Sequence, residues 1–368
     1  MAERLRVGVV FGGPSPEHEV SVASAAGVVA ALPRDRFEPV VIGISRSREM
    51  VLIPPESLSG LSGGGTLHAA GPGVMLASDG RSGAQVLSAQ PPHERLAYVD
   101  VVFPVMHGPF GEDGVFQGFL ETLGVPYVGC GVAASATAMD KVSMKRAFAE
   151  AGLPVTPHVS FTERQWQVCA EELTRVAAGL KWPLFVKPAR MGSSIGISRV
   201  TSPAELSGAV GEALRYDDVV VAEQGVTARE IIASVLGGFS PTVSVPAEIG
   251  VPGAWLDYRQ KYFATEDTVT VPAKLPDHVA GQVRDLSLRA FGAVGCWGLA
   301  RVDFLYDEAR EDLYLLEINT MPGFTPRSVY ARAWEHSGLS YSDLLTELIG
   351  LGRTRHARMA EREAEILA

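Results

Sequence analysis

Short apolar runs separated by glycine-rich turns dominate the first third of the chain. Residues 7–11, 40–44 and 98–105 are nearly continuous apolar runs. Runs of this length without alternation are typical of strands buried on both faces of a parallel sheet. Helical spacing of apolar residues follows at 20–32 and 115–123. Because strands, turns and helices alternate, the sequence predicts a doubly wound α/β domain here.

The remainder of the chain mixes strands and helices differently. Residues 45–95 are rich in Gly and Ser and lack a clear period, which predicts variable surface loops with short strands. Beyond residue 130, helices and short apolar strands follow in an order typical of α+β domains with antiparallel sheets. The sequence therefore predicts an N-terminal α/β domain at 1–129 and two α+β subdomains at 130–223 and 224–368.

Composition narrows the class of protein. Apolar residues make up 46% of the 368 residues, so a sizeable core can be buried, and the 20% of charged residues does not indicate disorder. The net charge of −10 disfavours nucleic-acid binding, which depends on neutralising phosphates. No apolar stretch reaches the roughly 18 residues that span a bilayer. The three cysteines form no C-x-x-C pair, so we expect a reducing, cytoplasmic setting.

Lysine is rare in this chain, and its positions are informative. Only six of the 32 basic residues are Lys, at positions 141, 145, 181, 187, 261 and 274. A lysine ammonium is a compact charge that suits a phosphate, whereas Arg presents a broad fork. Codon bias with randomly placed lysines explains this composition at least as well.

A lysine at a strand end, followed by a small flexible loop, is one candidate phosphate site. Lys187 ends a predicted strand, and residues 188–196 are rich in Gly and Ser. Backbone N–H groups of such a loop can close over phosphates. Taken alone, an ordinary hairpin loop explains the segment equally well. Walker and Rossmann motifs are absent, because no Gly precedes a Lys and no G-x-G-x-x-G follows the first strand.

Oxygen-bearing side chains on two successive predicted strands form a sharper candidate site. Asp303 lies in one strand, and Glu317 and Asn319 lie at i and i+2 on one face of the next. If the strands pair, these three oxygen ligands converge and suit Mg²⁺. Arg301, two residues before Asp303, points to the same side. The plain alternative is a solvated polar face, which three acceptors beside an arginine make less favourable.

Three further segments carry candidate chemistry. Pro322-Gly323 predicts a turn whose N–H can point at a developing oxyanion, although a plain turn is the commoner explanation. Glu17 follows the first strand at the C-terminal edge of the sheet, where it can accept a substrate ammonium. His107 opens the glycine-rich segment 107–114 at the same edge, and a lone His is more often structural than catalytic.

Together these segments resemble the D-alanine–D-alanine ligases of the ATP-grasp superfamily, in order and through nearly the whole chain. Seven blocks carry the resemblance: Gly12-Gly13-x-Ser15-x-Glu17-x-Glu19-Val20-Ser21, His107-Gly108-x-x-Gly111-Glu112-Asp113-Gly114, Met139-Asp140-Lys141, Lys187 with Ser193-Ser194, Asp257-Tyr258-x-x-Lys261-Tyr262, Arg301-x-Asp303 and Glu317-x-Asn319-Thr320. Each block is moderately specific, and seven in the same order are very specific. The resemblance implies an ATP-grasp fold and a homodimer that joins two D-alanines through an acyl phosphate for peptidoglycan synthesis.

The resemblance also implies roles in binding ATP and metal. The residues implied for the phosphates are Lys141, Lys187, Ser193 and Lys261, the last from a mobile ω-loop. Those implied for adenine and ribose are Glu223, Gln224, Val226, Glu230 and Leu305. Two Mg²⁺ or Mn²⁺ ions are implied at Asp303, Glu317 and Asn319.

The amino-acid substrates are assigned in the same way. Glu17 is implied to bind the ammonium of the first D-alanine and to join Ser193 and Tyr262 in a hydrogen-bonded link that shuts a lid. Arg301 and the Gly323 N–H are implied to stabilise the oxyanion, with His107 also in the catalytic group. Ser328 and Val329 are implied to hold the second substrate.

Departures from the family pattern leave the acceptor open. Gln224 stands where a charged residue is frequent, and residues 327–331 differ from the usual sequence beside the second-substrate pocket. A sister ligase using D-serine, D-lactate or another amino acid therefore remains an alternative, although Tyr262 favours an amine acceptor. A regulatory protein without catalysis is disfavoured, since no metal ligand or phosphate lysine is missing. An unrelated two-domain binding protein predicts no ATP turnover.

Overall fold

The computed structural model describes residues 4–60, 71–80, 82–250 and 269–367, and the following elements belong to those ranges. The strands are β1 (Leu5–Gly12), β2 (Phe37–Ile44), β3 (Met50–Ile53), β4 (Val74–Ser78), β5 (Ala84–Ser88), β6 (Arg95–Val99), β7 (Val101–Pro104), β8 (His158–Thr162), β9 (Leu184–Pro188), β10 (Ser198–Val200), β11 (Val219–Gln224), β12 (Arg229–Gly237), β13 (Thr242–Val243), β14 (Ala247–Ile249), β15 (Val269–Thr270), β16 (Gly298–Asp307) and β17 (Asp312–Asn319). The helices are α1 (His18–Ala31), α2 (Val115–Leu123), α3 (Val132–Met139), α4 (Lys141–Glu150), α5 (Glu163–Ala178), α6 (Pro203–Ala213), α7 (Asp277–Val294), α8 (Val329–His336) and α9 (Tyr341–Leu367), with a short 3-10 helix at Pro55–Gly60.

The N-terminal sheet has the order β3-β2-β1-β7, with β1 parallel to both neighbours. Val7, Val9 and Phe11 of β1 are buried in one core together with apolar residues of α1, α8 and α9. Val10 belongs to a second core on the other face, which α2 and β4–β6 complete. Both faces are therefore covered, as the continuous apolar runs predict.

The described residues of the segment 45–95 include short strands, as the sequence predicts. β4, β5 and β6 form a separate three-stranded antiparallel sheet. The predicted strand at 98–105 is two strands, because Asp100 interrupts it. The Asp100 carboxylate accepts hydrogen bonds from the backbone N–H and the guanidinium of Arg6, at 2.7 to 2.9 Å.

The two predicted α+β units each have a largely antiparallel sheet. The first is ordered β10-β9-β11-β8 and packs against α5 and α6. The second is ordered β15-β14-β12-β16-β17, with β13 also paired to β12. The helix α7 packs on this second sheet from one side, together with α3 and α4.

The domain boundaries at 129/130 and 223/224 stay a prediction, and the cores of the described residues overlap them. The helices α3 and α4 share a core with β12, β16 and β17, although they precede the central sheet in the chain. The helix α9 packs against the N-terminal sheet. Among the described helices, none combines the length and apolar character that crossing a membrane requires.

Candidate active site

The helix α4 presents two lysines toward the interior. It begins after Asp140, whose Oδ1 accepts the N–H groups of Val142 and Ser143 at 2.9 Å and so caps the first turn. Lys141 and Lys145 lie four residues apart and share one face of the helix. Their exposed fractions are 8% and 0%. Buried ammonium groups of this kind require an anionic partner, which indicates a charged site beneath the helix.

A buried carboxylate between lysines lies next to α4. The register of β9 and β11 sets Lys187 opposite Val221, so that Glu223 is its diagonal neighbour on the same face. Glu223 Oε1 accepts hydrogen bonds from Lys145 Nζ at 2.6 Å and from the hydroxyl of Thr156. Its Oε2 is ion-paired with Lys187 Nζ. Every charged group of this cluster is nearly inaccessible to solvent.

The electrostatics of the cluster favour a polyanion. Burial raises the pKa of Glu223, but the ammonium groups of Lys187 and Lys145 outweigh it and lower the pKa, so the carboxylate is ionised. Burial lowers the pKa of Lys141 to about 8, against the opposing effect of the Glu317 carboxylate. Three lysines surround one glutamate here, so positive charge is in excess. Phosphate groups would balance that excess.

The loop after Lys187 is fixed at several points. Lys141 Nζ donates to the carbonyl of Met191 at 2.6 Å. Arg190 donates its backbone N–H to Asp217 at 2.6 Å, and its guanidinium pairs with the same carboxylate. Ser193 and Ser194 have φ angles of 53° and 60°, in the left-handed region that non-glycine residues rarely adopt. These anchors hold a strained turn over the lysine cluster.

Glu17 contacts this loop from the N-terminal domain. The Ser193 hydroxyl donates to Glu17 Oε1 at 2.5 Å, so two of the three residues predicted to form the lid link meet. The segment 107–114 approaches the same carboxylate from another side. A Cβ at Gly108 would lie 2.6 Å from Glu17 Oε2, and the φ of Gly108 is 72°. Only glycine fits this position without displacing the carboxylate.

His107 lies behind the turn that carries Gly323. Its Nδ1 is 2.9 Å from the carbonyl of Met321, so Nδ1 carries a proton. Its Nε2 is 3.0 Å from the hydroxyl of Ser24, which also accepts the N–H of Phe324 at 3.2 Å. Tyr341 donates to the carbonyl of Phe324 at 2.8 Å. These bonds fix the backbone on both sides of Gly323.

The surroundings of His107 are acidic. Its Nδ1 is 3.6 Å from Glu112 Oε1. Burial lowers the pKa of His107, but the carboxylates of Glu112 and Glu17 outweigh it and raise the pKa above its usual value. Burial and the charge of Glu17 raise the pKa of Glu112. In the described part of the chain, the N–H of Gly323 has no acceptor, so it is available to a ligand.

The predicted metal ligands lie on two paired strands. Asp303 of β16 is opposite Glu317 of β17, and Arg301 is opposite Asn319, with a bulge directly after Asp303. Arg301 donates two hydrogen bonds to Asp303, at 2.8 and 2.7 Å, and lies 3.9 Å from Glu317. Within the described ranges, no group of three His, Cys, Asp or Glu side chains forms a metal site. Two carboxylates and one amide oxygen are nevertheless a donor set that fits Mg²⁺.

The remaining predicted residues are distributed around this centre. Gln224 ends β11 and accepts the N–H of Lys181 at 3.2 Å, while Val226 lies in the segment before β12. Glu230 of β12 is opposite Leu305 of β16. Ser328 precedes Val329 at the start of α8, and its Oγ accepts the N–H of Thr325 at 2.9 Å. Lys261 and Tyr262, like Asp257 and Tyr258, lie outside the described residues.

Sequence reasoning missed three residues that the structure draws into the site. Lys145 and Thr156 contact Glu223, and Ser24 links His107 to Phe324. Lys145 was detectable, because it is one of six lysines and lies one helical turn after Lys141. Thr156 and Ser24 carry no signal in the sequence, since isolated hydroxyl residues are common in strands and helices.

A lysine cluster under a strained loop, beside paired strands with acidic residues, defines the class of ATP-grasp enzymes. Two family models match the chain: "D-ala D-ala ligase N-terminus" at residues 6–130 and "D-ala D-ala ligase C-terminus" at residues 147–350. The chain therefore belongs to the D-alanine–D-alanine ligase family, whose members are ATP-dependent ligases.

Individual relatives agree with this assignment. A D-alanine–D-alanine ligase of Pseudarthrobacter chlorophenolicus is 45% identical over 362 residues, which cover 95% of this chain and 94% of the relative. The structure of the D-alanine–D-alanine ligase from Coxiella burnetii is 34% identical, covers 100% of both chains and superposes with a TM-score of 0.84. The structure of VanG D-Ala:D-Ser ligase from Enterococcus faecalis is 32% identical, with coverages of 95% and 100% and a TM-score of 0.83. The predicted ATP-grasp fold is confirmed.

Proposed function

We propose that this protein joins two D-alanines to D-alanyl-D-alanine, with ATP converted to ADP and phosphate, to supply peptidoglycan precursors. The observation that carries the proposal is the convergence of the Lys141, Lys145 and Lys187 ammonium groups with the Glu223 carboxylate in one buried region. The partly exposed Glu317 carboxylate is close enough to this region to act on the charge of Lys141. Such a site suits a nucleotide polyphosphate with its counter-ions. We further propose that the enzyme acts in the cytoplasm, because its ATP and D-alanine substrates are intracellular, and that it is a homodimer, as the family resemblance implies.

The reaction requires two bond-forming steps. A carboxylate oxygen of the first D-alanine attacks the γ-phosphorus, and ADP leaves, which gives an acyl phosphate. The amine of the second D-alanine then attacks the acyl carbon, loses a proton, and expels inorganic phosphate. Lys141 and Lys187 neutralise phosphate charge in the first step. Arg301 and the Gly323 N–H stabilise the oxyanion in the second.

Asp303, Glu317 and Asn319 would hold two Mg²⁺ ions. The ions would neutralise the transferring phosphoryl group. Arg301 donates a hydrogen bond to each oxygen of the Asp303 carboxylate, so the arginine would compete with a metal for these oxygens. Glu17 would bind the ammonium of the first substrate while Ser193 closes the loop over it. Closure matters because water would hydrolyse an acyl phosphate.

The acceptor is tested separately from the ATP chemistry. Purified enzyme with Mg²⁺ and ATP is supplied with D-alanine alone, and phosphate release and product mass are measured. The same assay with D-alanine plus D-serine, D-lactate or L-alanine ranks the acceptors. We expect D-alanyl-D-alanine as the main product. A preference for D-serine, which the name of the similar D-Ala:D-Ser ligase includes, would change the proposed acceptor but leave the ligase mechanism in place. No phosphate release with any acceptor would overturn the proposal.

A further inference from the structure

We propose that Lys145 is a positioning residue for ATP: it remains the counter-ion of Glu223 when Lys187 leaves that carboxylate to bind a phosphate. The inference rests on the proposed ATP site, to which it adds a residue that does not itself contact the phosphates. Two ammonium groups share Glu223 in the structure, one on each carboxylate oxygen. Only one of them is needed to keep the carboxylate neutralised.

The two lysines differ in their surroundings. Lys145 is fully buried, and its Nζ also lies 3.3 Å from the hydroxyl of Thr156. Thr156 donates to the same Glu223 oxygen, Oε1, so three groups form a closed hydrogen-bonded unit. Among the described residues, Lys187 pairs with the other oxygen, Oε2, and it lies at the end of the strand that leads into the loop covering the site. The geometry therefore makes Lys145 the fixed partner and Lys187 the one that can move.

The charges explain why a fixed partner is required. An ionised carboxylate buried without a cation is strongly destabilising. If Glu223 had Lys187 alone, turning that ammonium toward a phosphate would leave the carboxylate unpaired. With Lys145 in place, Lys187 can exchange one anion for another while Glu223 stays neutralised. Lys145 thus lowers the energetic penalty of ATP binding without touching ATP.

The test measures ATP binding and turnover in matched variants of the full chain. Lys145→Met removes the charge at similar length, and Lys145→Met/Glu223→Gln removes both charges. Glu223→Gln alone is the reference for any loss of adenine recognition. Lys274→Met is the control, because Lys274 is exposed and lies outside the site. Affinity for Mg²⁺ and a non-hydrolysable ATP analogue is measured by calorimetry, together with the KM for ATP and kcat.

We expect Lys145→Met to weaken nucleotide binding by about tenfold or more, because Lys187 is then retained by Glu223. The double variant should recover to within about threefold of Glu223→Gln, since no buried carboxylate then competes for Lys187. A residue that merely supports packing would not be rescued by removing the opposite charge. Unchanged binding in Lys145→Met, or a double variant no better than Lys145→Met, would overturn the inference.

Lys187→Met supplies an independent check if Lys145→Met fails to fold. Because Lys145 still neutralises Glu223, we expect this variant to melt within about 2 °C of wild type while binding ATP poorly. A much lower melting temperature would show that Lys145 does not suffice as the counter-ion, which contradicts the inference. Failure of the wild-type protein itself to bind ATP or release phosphate would instead refute the proposed function.

Discussion

The two halves of the site are built from different interactions. The nucleotide half consists of buried charges: Lys141, Lys145 and Lys187 gather around Glu223. The half that faces the reacting carbonyl is a backbone turn fixed by its hydrogen bonds with His107, Ser24 and Tyr341. The charges of the nucleotide half set its affinity for a polyanion, whereas the turn positions a single group, the Gly323 N–H, toward the oxyanion. Losses in the two halves should therefore appear in different kinetic constants.

We expect the largest loss of activity from a change at the predicted metal ligands. Glu317→Gln keeps the shape of the side chain but removes one negative charge. We expect kcat to fall by about a thousandfold, because the metal supplies several kcal/mol of charge stabilisation in phosphoryl transfer. Steady-state phosphate release measures the effect. Glu308→Gln is the control, since that side chain is 66% exposed near the end of β16. Equal activity of the Glu317 and Glu308 variants would refute the metal assignment.

The turn is tested by Ser24→Ala, which deletes the hydroxyl between His107 and Phe324. We expect kcat to fall by about tenfold to a hundredfold, because the Gly323 N–H loses its alignment with the oxyanion. The KM for ATP should stay within about twofold, since the charged half is untouched. Ser287→Ala is matched to it, because Ser287 is also buried in a helix, bonded to the Val283 carbonyl. A rise in the KM for ATP with normal kcat would contradict the division of the site.

The donor subsite is tested by Gly108→Ala. The added Cβ would stand 2.6 Å from a Glu17 carboxylate oxygen, so we expect the KM for D-alanine to rise by about tenfold. Gly124→Ala is a matched control, because Gly124 has a φ of 65° with nothing within 4 Å of an added Cβ. Both variants lose about 1 kcal/mol or more of stability from the left-handed backbone. Only Gly108→Ala should raise the KM for D-alanine. An equal rise in both variants would show that backbone strain, and not contact with Glu17, causes the effect.

The smallest effect concerns pH. Burial lowers the pKa of Lys141 to about 8, so this ammonium loses its charge at mildly alkaline pH. We expect kcat/KM for ATP to decline above about pH 8, which a pH series of initial rates will show. The free energy of unfolding should rise from about pH 8 toward 10.5, because the unfolded chain holds the additional proton there. In Lys141→Arg, which stays charged, the decline in kcat/KM should be absent; a persistent decline would assign the titration elsewhere.

The sequence predicts the charged half better than the turn. Lys187 at a strand end and the spacing of Asp303, Glu317 and Asn319 are local patterns, and the paired register of β16 and β17 agrees with them. The family resemblance assigns Glu223 to the adenine pocket. Its lysine partners, however, depend on how α4 packs against β9 and β11, which the sequence does not show. Met144 of that helix accepts the N–H of Ile318 at 3.4 Å, a contact between residues 174 positions apart.

Long-range contacts also decide two details of the fold. Val74 and Leu76 of β4 and Val86 of β5 pack under α2, a contact that the Gly and Ser content of this segment does not reveal. The strand predicted at 98–105 is interrupted because the Asp100 carboxylate accepts hydrogen bonds from Arg6, which lies 94 positions earlier in the chain. Long-range partners decide both cases. Local propensity cannot supply them.

The packing of α9 against the N-terminal sheet has a consequence for biosynthesis. Leu344, Leu345 and Leu348 share a core with Val7 and Val9, and the Ser342 hydroxyl donates to the carbonyl of Ala31, 311 positions away. During translation, the core of the first strands therefore cannot be completed until the C-terminal residues have been synthesised. Until those residues emerge from the ribosome, the part of this sheet face that α1 does not cover stays exposed to solvent and to chaperones.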